Sequence, residues 1–172
     1  RSFGMQVSAL KELKEAVSAY AGRCAVKLRQ QKSCATSVSV FINTNPFIFS
    51  EKQYNAYQQI LFDSPTNDSI EIIKNALKIL ERIYRQGFLY KKAGVILGGT
   101  VPEEHIQLNL FRQKNHLKLK KLMTAIDNIN TRMGRDAVRF AAQGLDRKWR
   151  LKQEHLSPAY TTRFSDMLCV YI

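Results

Sequence analysis

The side chains in this sequence that could ligate a metal or move a proton are three histidines, three cysteines and fourteen acidic residues. Metal-assisted phosphoryl transfer needs two or three carboxylates converging on one cation. The acids here fall mainly in segments that read as helices and loops. No Asp-x-Asp or Asp-Glu pair lies in a predicted strand, and Glu103-Glu104 reads as a solvated pair in a linker. Zinc needs closely spaced Cys/His pairs, whereas Cys24, Cys34, Cys169, His105, His116 and His155 are scattered and suit surface or core roles. Gly94 and Gly98-Gly99-Thr100 lack the lysine and the helix that follow a phosphate loop, and no nucleophile elbow is present. The segment is expected to be non-catalytic and to need no cofactor.

Charge points elsewhere. The 172 residues carry 27 Lys+Arg against 14 Asp+Glu, a formal net charge of +13, with a sequence pI of about 9.9. Such a balance favours a polyanionic partner, nucleic acid or an anionic membrane surface. Within residues 112–152 there are 12 basic and 3 acidic side chains, or +9. The 45% hydrophobic content is enough for a packed core and excludes a disordered tail. No apolar run approaches the ~18 residues of a membrane span. Three cysteines do not suit a disulfide framework; they fit a reducing compartment, here the cytoplasm. A chain that opens on Arg1 without a secretory leader reads as processed, or as cut from a longer protein.

These charges must be positioned by a fold, and the periodicity supplies one. Arg1–Met5 reads as a short extended piece. Leu10, Leu13, Val17, Tyr20, Cys24 and Leu28 recur at helical steps, with Ser8 as N-cap. Thr36–Asn43 alternates strictly, Val38, Val40 and Ile42 on one side and Ser37, Ser39 and Asn43 on the other. A connection containing Pro46 leads to a strand around Tyr57–Phe62. Asp68 and Glu71 open a second helix through Ile73, Leu77, Leu80 and Tyr84, which Gly87 is placed to end. Leu89–Leu97 is the fourth strand, and Gly98–His105 reads as linker. Leu119, Leu122, Ile126, Ile129 and Met133 mark a third helix ending at Gly134. Residues 137–172 read as mixed structure, with Trp149 anchoring a small core.

The order β-α-β-β-α-β predicts an α/β (α+β) antiparallel sheet with both helices on one face. The other face is left open. An uncovered polar sheet on a basic domain can lie against a phosphate backbone.

Four short stretches carry a resemblance: Arg1-Ser2-Phe3-Gly4, Lys91-Lys92-Ala93-Gly94-Val95, Gln107-Leu108-Asn109-Leu110-Phe111, and Leu156-Ser157-Pro158-Ala159-Tyr160-Thr161-Thr162. In this order they resemble the C-terminal part of UmuC-type (ImpB/MucB/SamB) proteins, catalytic subunits of Y-family translesion DNA polymerases that act in the SOS response. The resemblance implies three parts. Residues 1–98 look like the little finger, which rides on primer–template DNA without reading sequence. Residues 99–111 look like a linker bearing a sliding-clamp-binding peptide, and residues 112–172 like the family's C-terminal extension. By matching positions, Arg1, Ser2, Lys91 and Lys92 fall on the DNA-facing strands, and Gln107, Leu108, Asn109, Leu110 and Phe111 on the clamp peptide. To these the outward alternation adds Ser37 and Ser39, short enough to let the backbone approach DNA. The resemblance also implies magnesium in the catalytic part, which this chain does not include, and a UmuD-type accessory subunit and RecA as further partners; no membrane is implied. Phe164-Ser165 departs from the Trp-Arg that some members carry after the Thr-Thr pair. The alternative from another class is a free-standing RNA-binding adaptor with an RRM-like sheet. That would need stacking aromatics on the central strands, of which Phe41 is one and no Lys/Arg-Gly-Phe run accompanies it.

Overall fold

Alternation in the second strand decides which side of the sheet is buried. Val38, Val40 and Ile42 are fully buried and share one core with apolar residues from two helices. The computed structural model describes residues 1–106, 116–150 and 157–167. Its elements are β1 (Ser2–Val7), α1 (Leu10–Gln30), β2 (Ser33–Thr44), β3 (Asn55–Thr66), α2 (Ser69–Ile83), β4 (Tyr90–Pro102) and α3 (His116–Arg132). The four strands form one sheet in the order β1-β4-β2-β3, each neighbouring pair antiparallel. The expected α/β sheet with both helices on one face is what the chain builds.

Helix α1 packs close to the sheet because its buried face is built largely of small residues, Ala16, Ala19, Ala21, Gly22 and Ala25, around Leu13, Val17 and Leu28. Helix α2 contributes the bulk, with Ile72, Ile73, Ile79 and Leu80 all buried. Each such side chain contributes roughly 1.5–3 kcal/mol on burial. Asp68 caps α2, its carboxylate accepting from the Ile70 amide at 3.0 Å. One aromatic group closes the end of the core: Tyr54 donates to the Ile83 carbonyl at 2.8 Å, and Tyr90 to the Arg85 carbonyl at 2.8 Å.

Local signals misplaced several boundaries. Ala9, not Ser8, is the N-cap of α1, and no side chain caps it. Helix α2 ends at Ile83. Tyr84 turns extended there, with its hydroxyl donating to the Ser8 carbonyl, and Gly87 (φ 88°) lies in the turn beyond. Strand β3 is longer than Tyr57–Phe62. Strand β4 continues through Gly98–Pro102, where a linker was expected, because that stretch pairs with β2 from Ser37↔Gly98 to Ser33↔Pro102. Cooperative pairing with a central strand outweighs the two glycines. In α3 the buried side chain is Met123, while Leu122 and Ile129 are exposed, as is Met133 just past its end.

Two contacts bind the later segments to this body. Arg29 of α1 grips Asp127 of α3 with both carboxylate oxygens engaged, at 2.7 and 2.8 Å, and also donates to the Asn67 carbonyl and the Ser69 hydroxyl at the start of α2. The pair is largely shielded from water, so each charge-assisted bond is worth more than a surface ion pair. Trp149 does not anchor a core of its own. It is 4% exposed and packs edge-on against Phe3 and Tyr20 of the main core, with centroids at 6.3 and 5.5 Å. Its carbonyl accepts from the Gly4 amide at 3.1 Å, so the late segment covers part of the outer edge of β1.

Candidate nucleic-acid interface

The face away from the helices is organised by register into cross-strand rows. The first row crosses all four strands as Ser2, Lys92, Asn43 and Asn55. The next rows are Gly94, Phe41 and Tyr57; then Ile96, Ser39 and Gln59; then Gly98, Ser37 and Leu61. With strands ~4.8 Å apart, the first row spans about 14 Å. Every side chain in it can hydrogen-bond. The ammonium of Lys92 is exposed at its centre.

Lys91 and Lys92 do not simply alternate. Lys92 pairs with Asn43 while Tyr90 pairs with Thr44, so Lys91 is the extra residue of a β-bulge. Its ammonium turns to the edge strand and donates to the Phe3 carbonyl at 3.0 Å. The carbonyl of Arg1 accepts from the Ala93 amide at 3.1 Å, which places Arg1 and Ser2 beside the lysine pair. Arg1, Ser2, Lys91 and Lys92 thus come together at one end of the sheet, although their sequence positions are about ninety residues apart.

Ser37 and Ser39 lie on the same face, as the alternation indicated, but each is only 4% exposed. They form its floor. The Tyr57 hydroxyl bends over Ser39 and donates to its Oγ at 2.9 Å. The accessible rim is Tyr57 (59% exposed), Leu61 (71%) and Ile96 (50%), with Gln59 between them. Sequence reasoning had not singled out these residues, nor Asn55. The outward phase of β3 was their available signal. Phe41 does not stand free as a stacking platform; its ring lies across Gly94, where a Cβ would collide with it.

No helix among the described residues is long and apolar enough to cross a membrane, and none of their His, Cys, Asp or Glu side chains form a group of three able to hold a metal. Burial, with the nearby Glu103 carboxylate, pushes the Cys34 thiol up to about 11, so it is protonated at neutral pH and a poor nucleophile. Burial also raises the Cys24 thiol. The clamp-type peptide, Gln107, Leu108, Asn109, Leu110 and Phe111, lies outside the described residues.

The family model described as the impB/mucB/samB family C-terminal domain matches residues 1–110. The chain belongs to the impB/mucB/samB family. A second model, described as a domain of unknown function (DUF4113), matches residues 120–170. Protein UmuC of Salmonella typhimurium is 41% identical over 171 residues, which cover 99% of this chain and 40% of that protein. Protein SamB of Salmonella typhimurium is 38% identical, covering 97% and 39%. Protein MucB of Escherichia coli is 37% identical, covering 94% and 38%. This impB/mucB/samB chain therefore spans about two fifths of the length of the curated relatives it matches. The second match begins inside α3 and includes Trp149, so a residue of the later family segment completes the core of the earlier one.

Proposed function

We propose that this chain is the DNA-gripping and clamp-tethering portion of an error-prone translesion DNA polymerase, acting in the cytoplasm. It holds primer–template duplex on the uncovered sheet face and docks a sliding clamp through Gln107–Phe111. The observation that carries the first part is the row Ser2, Lys92, Asn43 and Asn55 at one end of an uncovered face in a chain of net charge +13. Such a row offers a cation and neutral hydrogen-bonding groups, which suits phosphate oxygens and does not read bases. Lesion bypass requires that indifference to sequence. The catalytic carboxylates and magnesium belong to the rest of the polymerase. A UmuD-type subunit and RecA are the further partners that family membership suggests.

The clamp part rests on residue chemistry. Gln107 offers amide hydrogen bonds, and Leu108, Leu110 and Phe111 offer apolar anchors, in a five-residue span that follows the sheet domain. Against the RNA-adaptor alternative stands the position of Phe41, the aromatic on a central strand, which is folded down over Gly94.

The test is the salt dependence of binding to a blunt duplex of arbitrary sequence. Lys92→Ala lowers the slope of log K against log salt by about 0.9, the loss of one neutralised phosphate, with the same change on unrelated sequences. An unchanged slope would remove Lys92, and with it the row, from the DNA-contacting surface.

A further inference from the structure

A second cationic feature lies away from that row. Between α1 and residues 135–143 runs a cleft of about 750 Å³, within the ~300–1,000 Å³ typical of ligand pockets. Arg23 and Lys27 line it from α1, and Arg135 and Arg139 from the opposite wall. The two carboxylates that line it are already committed: Asp127 to Arg29, and Asp136 to Arg147 at 2.6 Å. Among the described residues, no carboxylate is within ion-pair distance of Arg23, Lys27 or Arg135. Partial burial, and then the charge of Arg135, lowers the proton affinity of the Arg23 guanidinium, and Asp136, which also faces Arg147 and Arg150, offsets only part of this. A bound anion would offset more.

The lining also includes the rings of Tyr20 and Phe140, the apolar Ile126 and Val138, and polar groups of Gln30, Asn130 and Thr131. Cations combined with ring faces suit a strand of unpaired nucleotides, whose phosphates and bases need both. Geometry also connects the cleft to the uncovered sheet face. The lining reaches Gly94 and Phe41, cross-strand neighbours on the uncovered face. A strand leaving a duplex on that face would pass Gly94 into the cleft.

We propose that this cleft binds single-stranded nucleic acid, continuing the path of a strand whose paired part lies on the sheet. The path rests on the duplex reading above; binding of a single strand does not. The pocket is too small to admit a duplex, so the two surfaces are separable by substrate.

The experiment compares the full chain with an Arg23→Gln, Arg135→Gln double variant and with Arg135→Glu alone, whose site is exposed and tolerant of change. A labelled oligothymidylate and a blunt duplex are titrated across a salt series, with a melting curve for each protein. The double variant flattens the single-strand slope by about 1.4, from ~0.7 per lost cation, and leaves the duplex slope unchanged. Arg135→Glu weakens single-strand binding further than a neutral change at that position. An unchanged single-strand slope in folded variants overturns the proposal, and so does an equal fall on duplex. Competition by a polyglutamate peptide as effective as oligothymidylate would also overturn it, since the cleft would then select charge alone. Failure of the duplex reading shows separately, as an unchanged duplex slope for Lys92→Ala.

Discussion

Replacing Trp149 with alanine is expected to destabilise the sheet domain by about 3–5 kcal/mol, the usual cost of deleting a buried aromatic. The indole is almost fully enclosed and meets Phe3 and Tyr20 edge-on. Such pairs add about 0.5–1.5 kcal/mol each beyond their buried area. At the size of this chain the loss corresponds to a fall in melting temperature on the order of 10 °C. Trp149→Phe is expected to cost less than half as much. Among the described residues nothing accepts from the buried indole Nε1, so phenylalanine removes an unsatisfied donor along with some contact area. Thermal or urea unfolding of the two variants checks both values. A Trp149→Ala protein as stable as the parent would mean that residues 137–150 do not complete this core.

The second large effect concerns the peptide after β4. Leu110→Ala together with Phe111→Ala is expected to abolish binding to a bacterial sliding clamp, measured by surface plasmon resonance. Two apolar anchors in clamp pockets contribute about 2 kcal/mol or more each. Their joint loss is then at least roughly 10²–10³-fold in affinity. Duplex affinity and its salt slope stay the same, because neither residue carries charge. Retained clamp affinity would show that residues 107–111 are not the tether.

Much of the sheet was legible because β2 states its own phase. Val38, Val40 and Ile42 can only face a core, and the serines between them can only face away. What alternation does not contain is the height of the neighbours. Ser37 and Ser39 are covered because Leu61, Tyr57 and Ile96 stand beside them, and those contacts exist only once the register with β3 and β4 is set. The extent of β4 was hidden for a related reason. Gly98-Gly99 reads locally as a breaker, yet Gly98 faces Ser37, where a Cβ would crowd the hydroxyl, so the glycine is what permits the pairing.

The cationic groups divide in the same way. Lys91-Lys92 was visible as a pair on a strand. The bulge that sends the two ammonium groups in different directions was not, because it depends on how Tyr90 and Lys92 pair with Thr44 and Asn43. Arg23 and Arg135 are separated by more than a hundred residues, and their approach is fixed by the Arg29–Asp127 pair and by Gln143 packing where Gly22 lacks a side chain. Periodicity in α3 gave the helix, which ends at Arg132, two residues before the expected Gly134, but not which stripe would be buried. A helix with Leu at 119 and 122 and Ile at 126 and 129 has more than one apolar face to offer.

Whether duplex DNA lies on the uncovered face is decided most directly by site-specific photo-crosslinking. A benzophenone amino acid is placed at Gln59, on the exposed rim of that face, and in a separate protein at Lys78, on the outer surface of α2. Each is irradiated with a radiolabelled duplex at low salt. Strong crosslinking from position 59 with little from position 78 is the expected result. Crosslinking from position 78 with none from position 59 would place the DNA on the helical side and contradict the assignment of the sheet face.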